Sequence, residues 1–465
     1  MKNKNLLKTL GITILVVILL TWILPSSTFD GYNVTKGIIV PTGIWDIFSA
    51  IGVTIAYFWQ PGVFLLFVGG LYGVLRSTGA LAGVVNKVKQ MAKGNEKIFL
   101  LITLAIFMKT TAFTGVSFPL IVFVPLFIAI ILAMGYSKLL ALLCTVGSII
   151  IGSLSTINNT SINEVLRING LSYFWYKIAL LVLLLILTGF YVWKTAEMKK
   201  GRKSENVTEE MKFLDEESTK QGAKLWPAFT AFGLLYVVFI LGLTSWTQIF
   251  GTEMFMKWHS TIMDIKIGNF HIFQNILGQT IVPFGQWNIV ECITVIGLIT
   301  LILTFIYKIK MKDMLTNFLN GIKKALPIAA LLVLINVVVI FTLNSGFYAT
   351  VINYLINLTD KMNAIIMAIN VFFGSILTVD KLYVSNYLLN ISSVLINDQS
   401  AMPLLMMITQ TMYGVAMLIA PTSLVLIAGL AYLEVPYTSW LKYIWRLLLF
   451  ILVLVIAILT IIIVV

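Results

Sequence analysis

The chain has 465 residues, 59% hydrophobic and only 11% charged, where soluble domains carry roughly 25% charged residues; a soluble globule is excluded. A net charge of +13 would suit a nucleic-acid partner in a soluble protein. Here Lys and Arg gather in short segments beside apolar runs, the positive-inside pattern of a polytopic membrane protein.

Leu6 to Leu24 reads as a retained first span leaving a cytoplasmic N-terminus at Lys2, Lys4 and Lys8. It is too long for a signal peptide and lacks a small-residue cleavage site. Residues 25–43 read as a turn-rich outer loop, Ile44 to Trp59 as a short or tilted helix ending at Gln60-Pro61, and Gly62 to Leu75 as the return to Arg76. Val84 to Lys97 has the pattern of a basic amphipathic helix on the cytoplasmic surface. Ile98 to Tyr136 is apolar around Lys109-Thr110-Thr111-Ala112-Phe113-Thr114-Gly115-Val116-Ser117, a group that cannot face lipid cheaply. It predicts a re-entrant hairpin; two complete spans would give the same parity. Residues 139–154 then form half a helix, interrupted at Gly152-Ser153-Leu154-Ser155-Thr156-Ile157-Asn158-Asn159-Thr160-Ser161. Side-chain oxygens and unwound carbonyls there suit a hard cation such as Na⁺. Residues 170–193 run back to Lys194, Lys199, Lys200, Arg202 and Lys203.

Residues 194–224 form the long charged segment, read as a cytoplasmic linker between an N-terminal half (1–193) and a C-terminal half (225–465). Its acidic run, Glu209-Glu210 and Asp215-Glu216-Glu217, reads as a solvated face. The second half predicts a span at 225–243, an outer segment from Ser245 to Trp287 with the unclustered His259 and His271, and a span at 288–307. A basic surface segment (308–324), a span (326–343) and a second hairpin (363–396) around Gly374 to Lys381 follow. The next helix breaks at Ala420-Pro421-Thr422-Ser423, and a last span starts at Leu447. Pro421 has no N–H to donate and clashes with the preceding turn. Broken helices at membrane depth mark the sites of many secondary transporters, although an ordinary proline kink would leave the same trace.

Residues 62–193 and 326–465 share one order of parts, span, hairpin, broken helix and final span, beginning on opposite sides of the membrane. The expected fold is an all-α polytopic membrane protein of about nine spans and two hairpins, with inverted repeats. Lys109, Thr110, Thr111, Thr114 and Ser117 with Ser155, Thr156, Asn158 and Asn159 form one candidate substrate half-site. Ser375, Thr378, Thr422 and Ser423 form the other, and Ser155, Asn158 and Thr422 are candidate Na⁺ ligands. Lys109 and Lys381 offer positive charge for a carboxylate. Each single hydroxyl also has a plainer fate, a bond to its own helix's preceding carbonyl, and Asp380 beside Lys381 reads equally as an ion pair.

The function these features predict is secondary active transport of a small organic solute, a carboxylate or amino acid, across the cytoplasmic membrane. It would be coupled to Na⁺ or H⁺ or run by exchange, with no cofactor beyond the coupling ion and no nucleic-acid partner. An enzyme acting on lipid or glycan would need a His, Asp or Glu constellation at membrane depth, and a channel a continuous polar stripe. No GxxxxGK[ST] loop for a nucleotide occurs. Cys144 and Cys292 carry no motif.

PTSLVLIAGLAYLEVPYTSWLKYIW (421–445) resembles the PTSGVLMAGLA…VPYxKWLKF signature of the YfcC-like, C4-dicarboxylate anaerobic carrier (DcuC-type) family. LTWILPSSTFD (20–30) is similar to its LTWIIPAGxFD, LFVGGLYGVLRSTGAL (66–81) to its GGxxGVxxxTGA, and GSLSTINN (152–159) to its STINP turn. The resemblance covers about half of the chain. It implies an elevator-type carrier of the ion transporter superfamily, with inverted repeats and re-entrant hairpins, and it alone points to a homodimer in the lipid bilayer. The chain departs from the pattern at Gly115-Val116-Ser117, which lacks the family's acidic pair. FGSILTVDKL (373–382) stands where PSGSGQAA is usual, and Asn159 stands in place of Pro.

Overall fold

A computed structural model describes residues 4–197, 223–359 and 362–464. The linker expected at 194–224, with its basic cluster and acidic run, lies almost wholly outside the described residues. Among those described, eight helices are long and apolar enough to cross a bilayer, or up to nine if the bent pair at 44–77 is one span. The chain is an all-α polytopic membrane protein.

Helix α1 (Lys4–Ile23) leads into a small antiparallel hairpin, β1 (Ser27–Phe29) and β2 (Val34–Lys36), where only a loop was expected. The Asp30 carboxylate closes its turn by accepting the N–H groups of Tyr32 and Asn33 at 2.8 and 2.7 Å. Those donors favour the charged form and hold the carboxyl below its ordinary range. Helices α2 (Ile44–Tyr57) and α3 (Trp59–Ser77) meet at a 64° bend. Pro61 does not end α2; it lies in the first turn of α3, where its missing N–H had no intrahelical partner to lose. The surface helix α4 (Ala80–Met91) is amphipathic as expected, burying Val84 and Val85 and exposing Lys87 and Lys89.

Helix α5 (Glu96–Thr114) stops at Gly115, whose φ of +71° makes the reversal into Val116-Ser117. The chain returns through a 3₁₀ turn (Phe118–Val122) and α6 (Val124–Ala133), completing a hairpin. The next arm is α7 (Lys138–Leu142), a π-helical stretch (Leu143–Gly147) and α8 (Ser148–Ser153). It unwinds over 154–159 before α9 (Thr160–Leu166), and α10 (Phe174–Glu197) follows.

In the second half, α11 (Trp226–Leu243) precedes a segment of short elements. These are α12 (Trp246–Phe250), α13 (Met254–Met263), the strand pair β3 (Lys266–Ile267) and β4 (Phe270–His271), and α14 (Ile272–Leu277). His259 and His271 meet the carbonyls of Ile281 and Met263 at 3.0 and 3.4 Å and brace this segment. Asn288 caps α15 (Ile289–Ile306), accepting from Val290 N–H while Glu291 accepts from its own N–H.

The expected surface segment and separate span at 308–343 are one 35-residue helix, α16 (Met311–Ser345), with Pro327 inside it. The change from polar to apolar composition marks a change of surroundings, and the helix continues through it. Also not anticipated were the short α17 (Phe347–Ile356) and the early start of the last helix. Helix α18 (Ala364–Thr378), the tip Val379-Asp380, α19 (Lys381–Tyr383), a π-helical stretch (Val384–Leu389) and α20 (Asn390–Ile396) make the second hairpin. Helix α21 (Met402–Ile419) then unwinds at 420–423 into α22 (Leu424–Leu433). Helix α23 (Tyr437–Val464) begins at Tyr437 rather than Leu447, because Glu434 in the left-handed region and Pro436 end α22.

The order of parts from α3 to α10 recurs from α16 to α23. The counterparts α3 and α16 pack antiparallel, with Gly62 facing Ala329, Gly69 facing Gly321 and Ala325, and Gly73 facing Asn317. Each unwound turn rests on its own hairpin just before the tip. Ile157 N–H donates to Ala112 O at 2.9 Å, and Thr422 Oγ1 donates to Ile376 O at 2.8 Å. The two broken helices also touch, with Gln410 Nε2 of α21 donating to Leu154 O at 3.1 Å.

Candidate functional site

The two hairpin tips and the two interrupted helices converge on one cavity of about 230 Å³. Gly115, Val116, Ser117 and Phe118 line it from the first tip, and Val379, Asp380, Lys381 and Leu382 from the second. Ile150 and Ser153 of α8, Ser161 of α9, Tyr413 and Met417 of α21, and Ser423 to Val425 at the second break complete it. It is smaller than the roughly 300–1,000 Å³ of drug-sized sites and has room for several waters or one small solute.

The second tip is built under strain. Val379 has φ +62° and ψ −54°, and Asp380 N–H bonds back to Thr378 O at 2.6 Å. This is a γ-turn of the strained kind, with a β-branched residue at its centre. Such conformations cost on the order of 1–3 kcal/mol and persist where the surroundings enforce them. Val379→Gly relieves that strain but gives up a buried side chain, so a small net change in melting temperature is expected; a rise of several degrees would show that the strain dominates.

Lys381 bridges the tips, its Nζ donating to Gly115 O at 3.0 Å. The neighbouring Asp380 carboxylate feels the ammonium's charge, while its Oδ1 accepts Leu382 N–H at 2.9 Å and caps α19. Local capping takes one carboxylate oxygen, and the ammonium, still beside that carboxylate, also reaches across to the first tip.

Of the residues singled out in the sequence, Ser117 and Ser423 line the cavity. Lys109 does not: it is exposed on α5, on the face that also presents Ile102 and Phe113, turned away from the tip. Thr110 is bonded to Ile106 O and to the Tyr236 hydroxyl of α11, both at 2.7 Å. Thr111, Thr114, Ser155 and Thr156 are buried and back-bonded to Phe107, Thr110, Gly152 and Ser153 carbonyls. Ser375 and Thr378 are bonded likewise to Val371 O and Gly374 O. For these the plainer local fate holds.

The candidate Na⁺ ligands serve three different partners. Ser155 bonds within its own turn, Thr422 holds the second hairpin, and Asn158 spends both ends on amides. Its Oδ1 accepts from Asn163 Nδ2 at 2.6 Å, and its Nδ2 donates to Gln248 Oε1 of α12 at 2.6 Å. Asn159 is buried with its Nδ2 unpartnered.

Sequence reading named Ser153 and Ser161 only as part of the broken turn and missed Tyr413 and Met417; the fold brings all four to the cavity. The i, i+4 spacing of Tyr413 and Met417 places both on one face of α21, but nothing in the sequence tells that face from its neighbours.

Comparison with curated proteins finds no match. Among solved structures, the crystal structure of the Alcanivorax borkumensis YdaH transporter, described as having an unusual topology, aligns over 98% of each chain. The identity is 13% and the TM-score 0.40. The family model of the C4-dicarboxylate anaerobic carriers (DcuC) matches residues 12–465, nearly the whole chain, and the protein belongs to that family.

Proposed function

We propose that the protein is a secondary carrier of C4-dicarboxylates or similarly small organic anions in the cytoplasmic membrane, with its N-terminus inside. The observation that carries this reading is the cavity at the meeting of both tips and both breaks, with the Lys381 ammonium in its wall. Hydroxyls of Ser117, Ser153, Ser161, Tyr413 and Ser423 surround that charge. Lys381 can meet a carboxylate, with its charge partly offset by Asp380 in the same wall, and the hydroxyls can hydrogen-bond it. Transport is driven by a Na⁺ or H⁺ gradient or by exchange, with no chemistry done on the solute. The moving unit is the hairpins with the broken helices, sliding on α3 and α16.

The test is uptake of radiolabelled succinate by proteoliposomes, under Na⁺ and H⁺ gradients and in exchange for internal dicarboxylate. Accumulation above protein-free vesicles in at least one regime is expected, competed by fumarate. Absence of uptake in all three, beside uptake of an amino acid, would replace the dicarboxylate by that solute.

A further inference from the structure

Lys177 lies in the first turn of α10, fully buried, yet no carboxylate pairs with it among the described residues. Its Nζ donates to Ile157 O at 2.9 Å and to Gly170 O at 3.0 Å, with Met406 Sδ at 3.6 Å. Ile157 belongs to the unwound turn of the first broken helix. Helices α8 and α21, packed around it, carry no charged residue, and Glu164 of α9 and Arg167, which caps it, are exposed. A buried ammonium held only by neutral oxygens is costly and rarely kept without a use.

The other repeat shows what capping alone requires. At the same place in the first turn of α23 stands Trp440, whose Nε1 donates to Leu418 O at 2.8 Å, beside the second break. A neutral indole thus serves the carbonyl there. The first break has a full charge where the second has only a donor.

We propose that Lys177 is a built-in cation: its ammonium occupies the site that Ile157 O of the first unwound turn and Gly170 O of the loop beside it would otherwise offer to a free monovalent cation. Carbonyl oxygens of an unwound helix are the usual ligands of such an ion, and here one of them, Ile157 O, points at Nζ beside Gly170 O of the loop after α9. Ser155 and Asn158, the candidate Na⁺ ligands on this turn, flank a place whose positive charge is covalently attached. Na⁺ does not enter at this break. The inference rests on the geometry of the turn and holds whichever solute is carried.

The experiment is thermal unfolding of purified protein in detergent, in NaCl, methylammonium chloride or choline chloride at equal ionic strength. Lys177→Ala is expected to gain a concentration-dependent stabilisation by Na⁺ or methylammonium over choline, on the order of a few degrees. The wild type and Lys177→Arg should show less. A response in Lys177→Ala no greater than in the wild type overturns the proposal. If Lys177→Ala cannot be recovered in any of these salts, Lys177→Gln and Lys177→Arg decide. Loss of stability in Gln with retention in Arg supports a required charge, whereas Gln equal to the wild type overturns it. Failed succinate uptake by a wild type that meets these expectations would count against the dicarboxylate reading alone.

Discussion

Lys381→Met is expected to lower the initial rate of succinate uptake about 10- to 100-fold while the protein still reaches the membrane folded. The side chain has two tasks that methionine cannot perform. It closes the gap between the repeats through Gly115 O, and it places a positive charge in the wall of the cavity. A hydrogen bond to a charged group contributes about 1.5–3 kcal/mol, and each 1.4 kcal/mol is a factor of ten. Lys381→Arg keeps the charge but replaces a compact ammonium by a planar fork, so partial activity is expected. Initial rates over a range of succinate concentrations separate the two tasks. A raised KM with unchanged maximal rate assigns Lys381 to the anion, and a lowered maximal rate assigns it to the junction of the tips. Wild-type kinetics in Lys381→Met would remove this residue from the site.

The second large effect is expected far from the cavity, at Gly321→Ala. A Cβ on Gly321 would lie 2.0 Å from Gly69 O and 2.6 Å from Gly69 C, and a Cβ on Gly69 would lie 2.6 Å from Gly321 O. The obstacle is backbone on both sides, so no rotamer change relieves it. Overpacking a core costs about 1–3 kcal/mol when side chains can yield; here whole helices must separate, and the loss should reach or exceed the top of that range. Small residues at such contacts let helix backbones approach closely in membranes. The measurement is thermal unfolding in detergent, with Gly233→Ala as control, since a Cβ at Gly233 meets nothing within 4 Å. A Gly321→Ala protein as stable as the control would mean that the α3–α16 contact is looser than it stands.

Features tied to the backbone were legible in the sequence. Gly115, and Pro421 between two apolar runs, announced a tip and a break because their conformational limits act locally. The hydroxyl clusters were visible but not their partners. Nothing in the sequence says that Thr111 turns back to Phe107 O while Ser117 faces open space. Lys109 misled because its place next to the tip in sequence does not tell which face of α5 it occupies. Lys177 escaped notice for the opposite reason: between Tyr176 and Ile178 it resembles an interfacial lysine at the end of a span, and its burial arises only when the unwound turn and the loop at Gly170 fold over it. The length of α16 and the early start of α23 were missed because composition reports surroundings, whereas helix ends are set by caps such as Gly346 and Glu434.

The π-helical stretches at 143–147 and 384–389 each add one residue to an arm that reaches the cavity. One leads from α7 toward the first break, and the other carries the return arm of the second tip. A π turn holds one residue more than the α turn it replaces. Reverting it would advance the cavity end of an arm by about 1.5 Å and rotate it by about 100°, with the helix staying continuous throughout. Ser153 lies beyond the first such turn and Lys381 just before the second. The extra residue in each π turn thus decides, by about 100° of rotation and about 1.5 Å of rise, which face of its arm meets the cavity.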